Sequence, residues 1–155
     1  MLLQLAELID MNSTFTNPSS TELKALLENI HTIAVVGLSP KEKRPSHQVA
    51  KHMQQYGYRI IPIRPAIDEL LGEKAYASIG ELDQPVDLVN IFLSPDKLTP
   101  VIDSCIKHKI RAIWIQEGII NEAEALRAQQ AGITVIMDRC IYKDYCTLVS
   151  ATRQD

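Results

Sequence analysis

Three cysteines (Cys105, Cys140 and Cys146) are all that the 155-residue chain carries, and no two form a C-x-x-C pair. Its four histidines, His31, His47, His52 and His108, are scattered without metal-ligand spacing, which argues against structural zinc. An odd cysteine count with no signal peptide fits a reducing cytoplasm. No Ser–His–acid spacing, paired-carboxylate motif or metal motif stands out, so the sequence nominates no catalytic residue and no metal site. The formal charge of −3 gives no general attraction to nucleic acid or anionic membrane, so positive charge matters only where it clusters.

Long hydrophobic runs are absent too. Residues Met1 to Asp10 are apolar, but they are too few to span a bilayer, lack a basic flank and include Glu7 and Asp10. Met11 offers an alternative start, leaving the first ten residues as a translation-start artefact or an amphipathic extension. Asn12 to Ser20 are polar and include Pro18, so residues 1–20 read as an N-terminal extension or mobile tail. The remainder, 21–155, suits one domain, with 46% apolar and 23% charged residues overall.

What is present is alternation. Ser19-x-x-Glu22 is a capping box ahead of Leu23, Leu26, Leu27 and Ile30 at helical spacing. An apolar strand begins at Thr32 and reaches the turn at Gly37, and a helix starting near His47 ends at Gly57. Further strands read as Tyr58–Ile63, Val86–Leu93, Ala112–Gly118 and Ile133–Met137. Between them lie a loop at 67–76, a brief helix at 78–82, a helix from Ser94-Pro95, and a helix capped by Asn121 and Glu124 that ends at Gly132. Tyr142 to Asp155 suggest a last helix. The pattern predicts an α/β, Rossmann-like three-layer fold with a five-stranded parallel sheet. The expected strand order is 3-2-1-4-5, with ligand at the ends of strands one and four.

The stretch after strand one carries the chemistry. Gly37 allows a sharp turn and close approach of a ligand; Ser39 and Ser46 supply hydroxyls, and Lys41, Lys43 and Arg44 supply charge beside a helix N-terminus. This reads as a phosphate-binding loop, against the simpler reading of an ordinary strand-to-helix turn. One glycine falls short of the G-x-G-x-x-G fingerprint. At the end of strand two, where dinucleotide folds place an acid, the chain has Arg64, suited to a nucleotide phosphate or simply exposed. His47 is either functional beside this loop or a residue of the helix surface. Cys140 follows strand five beside Arg139, so it is either an inert thiol or a thiolate able to exchange with the thiol of a bound ligand.

V-V-G-L-S at 35–39, R-P-S at 44–46, G-Y-R-I-I-P-I at 57–63, L-G-E-K-A-Y at 71–76 and M-D-R-C at 137–140 together resemble the small single-domain bacterial CoA-binding proteins. These are similar to the CoA-binding domain of the succinyl-CoA synthetase α subunit. The resemblance covers Thr32 to Cys140. It implies that Gly37, Leu38 and Ser39 lie against the pyrophosphate, with Arg44 and Ser46 helping to hold the phosphates. Arg64 and Pro65 would face the adenosine end, Phe92, Leu93 and Ser94 would border the adenine, and Gln116 and Gly118 the nucleotide or pantetheine channel. Cys140 would meet the thiol of coenzyme A. Leu93 departs from the arginine of many relatives, and Glu117 beside a polyanion must point away or pair with a cation.

Two functions follow as expectations. The first is non-catalytic, cytoplasmic binding of coenzyme A or an acyl-CoA, with a protein partner possible and no role for nucleic acid or membrane. The alternative is an NADP-dependent oxidoreductase or other nucleotide-binding enzyme.

Overall fold

Five strands alternate their side chains between two apolar layers, and that alternation builds the domain. The computed structural model describes residues 14–151; expectations for the first ten residues lie outside them. The central strands are β1 (Thr32–Val36), β2 (Arg59–Ile63), β5 (Leu88–Ile91), β6 (Ala112–Gln116) and β7 (Thr134–Arg139), all parallel. A small hairpin, β3 (Glu69–Leu70) with β4 (Glu73–Lys74), forms a separate two-stranded sheet beside β2, with Glu73 paired to Arg59 at 3.3 Å. It turns through Leu71 and Gly72, both at positive φ, within the loop expected at 67–76.

Ala34, Val36, Ile61, Val89, Ile113 and Val135 face one layer, which holds Leu98, Ile102 and Cys105 of helix α3 (Leu98–Lys107) and Ala125 and Ala128 of α4 (Glu122–Gln130). Ile33, Val35, Ile60, Leu88, Trp114 and Ile136 face the other. There they meet α1 (Ser20–Asn29), α2 (Pro45–Gln55) and the C-terminal α5 (Ile141–Asp144), which continues as a π-helical segment, Tyr145–Ser150. Strands buried on both faces read as continuous apolar runs for this reason. Trp114 is wholly buried, and its indole N–H donates to the Arg139 carbonyl at 2.8 Å.

Local signals place the helix ends. The Ser19 hydroxyl accepts from the Glu22 N–H at 3.2 Å, and Asn121 accepts from the Glu124 N–H at 3.2 Å, the two caps read from sequence. Helix α2 begins at Pro45, two residues earlier than expected, with proline in the first turn where its missing N–H costs nothing. Before α1, Phe15 is buried in the α3/α4 layer. The Asn17 amide brackets Met137, donating to its carbonyl at 2.9 Å and accepting from its N–H at 2.8 Å. Residues 15–17 are thus anchored along the outer edge of β7.

The five-stranded parallel sheet agrees with the expectation, but the order of its strands differs. The sheet runs β2-β1-β5-β6-β7, which is 2-1-3-4-5 in the numbering of the sequence reading rather than 3-2-1-4-5. The third long strand lies directly against the first, with Ile33 beside Leu88 and Val36 beside Ile91. Pro62 explains why β2 takes the edge. Its carbonyl points outward to accept from the Tyr76 N–H at 2.9 Å, so the N–H that proline lacks would also face the open side. The chain therefore reverses direction across the sheet between β1 and β5, and the crevice for a ligand opens there.

At that point three strand ends converge. Gly37 donates its N–H to Ile63 at 3.1 Å, while Phe92 donates to Val36 at 2.9 Å. Gly37 has φ +82°, and a Cβ built on it would lie 2.3 Å from the Phe92 carbonyl oxygen. We expect Gly37→Ala to lower unfolding free energy by roughly 2–4 kcal/mol, read from urea denaturation. A variant as stable as the parent would refute this packing.

Cys105 supplies a pH prediction. Burial pushes its thiol from 9.0 up to about 12. The neutral thiol is the form that folding favours, so its contribution to stability is complete below pH 9 and is lost as pH rises towards 12. At pH 8 iodoacetamide should alkylate the partly exposed Cys146 in native protein and reach Cys105 only with denaturant, as mass spectrometry of the peptides will show.

Candidate functional site

Beyond the C-terminal ends of β1, β2 and β5 lie two cavities sharing Gly37, Arg64 and Leu93. One, of about 540 Å³, is mainly apolar, walled by Ile63, Pro65, Ile79, Pro100 and Val101. The other, of about 530 Å³, is the more polar of the two, with Ser39, Lys41, Arg44 and Ser46 on one side and Phe92, Ser94 and Gly118 on the other.

The polar cavity is shaped by the turn from β1 into α2. Ser46, in the first turn of α2, accepts the Ser39 N–H on its hydroxyl at 3.0 Å, and Ser39 in turn accepts the Lys41 N–H on its own at 3.1 Å. Each hydroxyl thus receives a backbone donor, and neither donates its own proton to a protein group among the described residues. Both O–H groups are available to an anion. Leu38 is wholly buried in the α1/α2 layer, leaving its backbone as its contribution to the rim; its carbonyl accepts from the Arg64 guanidinium at 3.4 Å.

Charge is distributed unevenly along the edge. Lys41, Arg44 and Arg64 face the polar cavity, and none of the three has a carboxylate partner among the described residues. The ends of β6 and β7 differ. Glu117 is held by the Lys143 ammonium at 2.9 Å, a pairing that raises the lysine above its ordinary value, so the acid expected to point away or find a cation has found one. Arg139 makes two bonds to Asp144, at 2.6 and 2.7 Å, which hold its proton more tightly than usual. Asp138 accepts the Gly118 N–H at 2.8 Å. Among the residues lining the polar cavity, the positive charges without a carboxylate partner therefore come from the ends of β1 and β2.

Of the residues singled out from sequence, Gly37, Ser39, Arg44, Ser46, Arg64, Phe92, Leu93, Ser94 and Gly118 line the polar cavity, while Pro65 lines the apolar one. Gln116 and Cys140 line neither. Gln116 is buried beneath the rim, accepting from Asn90 at 3.4 Å, and Cys140 is buried at the start of α5 with its neighbour Arg139 committed to Asp144. His47 is buried as well, not a helix-surface residue, and its Nδ1 lies 2.8 Å from the Ser39 carbonyl oxygen. Sequence reasoning missed Ala77, Ser78 and Ile79, which lead into the 3₁₀ turn Ile79–Glu81, and Pro100, Val101 and Ser104 on α3. These come from distant elements and carry no motif; the first three precede β5 and the last three follow it, so only the folded sheet brings them to one crevice.

Among described residues no helix is long and apolar enough to cross a membrane, and no group of three His, Cys, Asp or Glu side chains could hold a metal ion. The chain is 45% identical over 125 residues to the Bacillus subtilis protein YneT, covering 81% of this chain and 93% of that protein. A 4-hydroxybutyrate–CoA ligase (ADP-forming) of Nitrosopumilus maritimus is 32% identical over 103 residues, which are 64% of this chain and 15% of the ligase. Among solved structures, a Thermus thermophilus protein superimposes with a TM-score of 0.81 at 33% identity, covering 84% of this chain and 99% of that one. The model of one family, described as the CoA binding domain, matches residues 31–145. Spanning most of the chain and both cavities, that match shows that the protein belongs to the CoA-binding domain family.

Proposed function

We propose that this protein binds coenzyme A or an acyl-CoA through the loop after β1 and performs no chemistry on it. The observation that carries this reading is the junction of a polar, cationic cavity with an apolar one at Gly37, Arg64 and Leu93. Coenzyme A has a matching division. Its diphosphate would take the Ser39 and Ser46 hydroxyls and the Lys41 and Arg44 charges, its adenine the apolar cavity beside Pro65 and Ile79. Arg64, at the junction, would reach the 3′-phosphate. The uncharged pantetheine would then run past Phe92, Ser94 and Gly118 towards the ends of β6 and β7, where Lys143 and Arg139 are paired with carboxylates.

A binding role without catalysis is supported by the lining. Neither cavity includes a carboxylate, thiol or imidazole among its described residues, so a proton-transfer step has no such group to carry it. The NADP alternative shares the phosphate and the base, and so it belongs in the same experiment.

Isothermal titration with CoA, acetyl-CoA, dephospho-CoA, NAD and NADP should show CoA bound most tightly. Dephospho-CoA, and CoA with Arg64→Ala, should each be weaker by about tenfold, the loss of one charge-assisted contact. Preference for NADP over CoA would overturn the reading, and weaker binding of dephospho-CoA with unchanged CoA binding in Arg64→Ala would remove the role given to Arg64.

A further inference from the structure

We infer that His47 is a positioning residue that sets the phosphate-binding loop before ligand arrives; the inference rests on the CoA reading for its effect on affinity. His47 is 6% exposed, and a buried imidazole must satisfy its polar atoms. Its Nδ1 lies 2.8 Å from the Ser39 carbonyl oxygen, which can only accept, so the proton sits on Nδ1. The preceding residue of α2, Ser46, accepts the Ser39 N–H at 3.0 Å. Two consecutive residues of one helix thus hold both polar groups of the Ser39 backbone. The Lys41 N–H, donating to the Ser39 hydroxyl at 3.1 Å, fixes the way out of the turn.

The consequence is preorganisation. Residues 40–45 are exposed, and ordering such a segment on binding subtracts from affinity. With Ser39 held from below, its hydroxyl and that of Ser46 face the cavity without rearrangement, and Arg44 is carried at the N-cap of the same helix. His47 lines neither ligand cavity, so it acts through Ser39 and not by contact with a phosphate.

The test uses three variants that move one donor. Asparagine puts an amide N–H at the position of Nδ1, glutamine places it one atom further out, and leucine removes it. In titrations with CoA, His47→Leu and His47→Gln should bind about tenfold more weakly and His47→Asn within about twofold of the parent. Amide hydrogen exchange of residues 38–44 in ligand-free protein should quicken in the Leu and Gln variants and stay at the parent rate in Asn. Parental affinity and exchange in His47→Leu, or an Asn variant as impaired as Leu, would overturn the inference. Should the Leu variant fail to fold, the parent decides the matter: long-range ¹H–¹⁵N spectra must show the proton on Nδ1, and an Nε2–H tautomer would refute the clamp. Failure of the parent itself to bind CoA would refute the proposed function, while the exchange and tautomer measurements would still decide the role of His47.

Discussion

The close approach of backbone at Gly37 is the constraint on which the site depends. A side chain there would intrude to 2.3 Å from the Phe92 carbonyl, and the φ of +82° already disfavours any residue with a Cβ. Because glycine permits that contact, β1 ends flush between β2 and β5, and Ile63, Phe92 and the start of the loop share one small region. Both cavities open from it. The fold supplies the crevice through the reversal in strand order, but Gly37 is what lets the crevice reach the backbone floor.

Much of this was legible before any coordinates. The apolar runs, the caps at Ser19 and Asn121 and the alternation of strand with helix identify a parallel α/β sheet, because each is a local consequence of burial or backbone satisfaction. Strand order is not local, and it was misread. Pro62 held the clue: a proline whose N–H side faces outward belongs on an edge strand, and an order that puts strand two between strands three and one gives it no edge. With β2 at the edge, strand three has to cross to the other side of β1, and the switch point moves from strands one and four to strands one and three.

The site divides in the same way. Gly37, Ser39, Arg44, Ser46 and Arg64 follow their strands immediately, so sequence position and spatial position coincide. Ile79 and Val101 do not; they reach the apolar cavity because a crossover and a helix lie over the α3 face. Gln116 and Cys140 show the opposite failure. Both stand at strand ends, yet the irregular pairing of β6 with β7 near Gln116 and the positive φ of Asp138 accompany side chains buried below the rim. Nearness to a strand end is thus neither required for a place in the crevice nor enough to secure one.

The disposition of Ser39 bears on the choice between coenzyme A and a nicotinamide dinucleotide. A dinucleotide fingerprint spends its second glycine on bringing bare backbone close to the pyrophosphate, on the helix N-terminus. Here the Ser39 amide is already taken by Ser46, and Pro45 has no N–H to offer. These two positions offer no backbone donor, and two hydroxyls with Lys41 and Arg44 stand beside the N-terminus of α2. On the proposed reading, such a loop would meet phosphate with side-chain charge and hydroxyl protons, whose reach exceeds that of a peptide amide, so the anion need not descend onto the turn. That arrangement suits a ligand whose negative charge is spread over a diphosphate and a separate ribose phosphate. Lys41, Arg44 and Arg64 would meet that distribution, while the paired charges at the ends of β6 and β7 would leave the path beyond it to an uncharged arm.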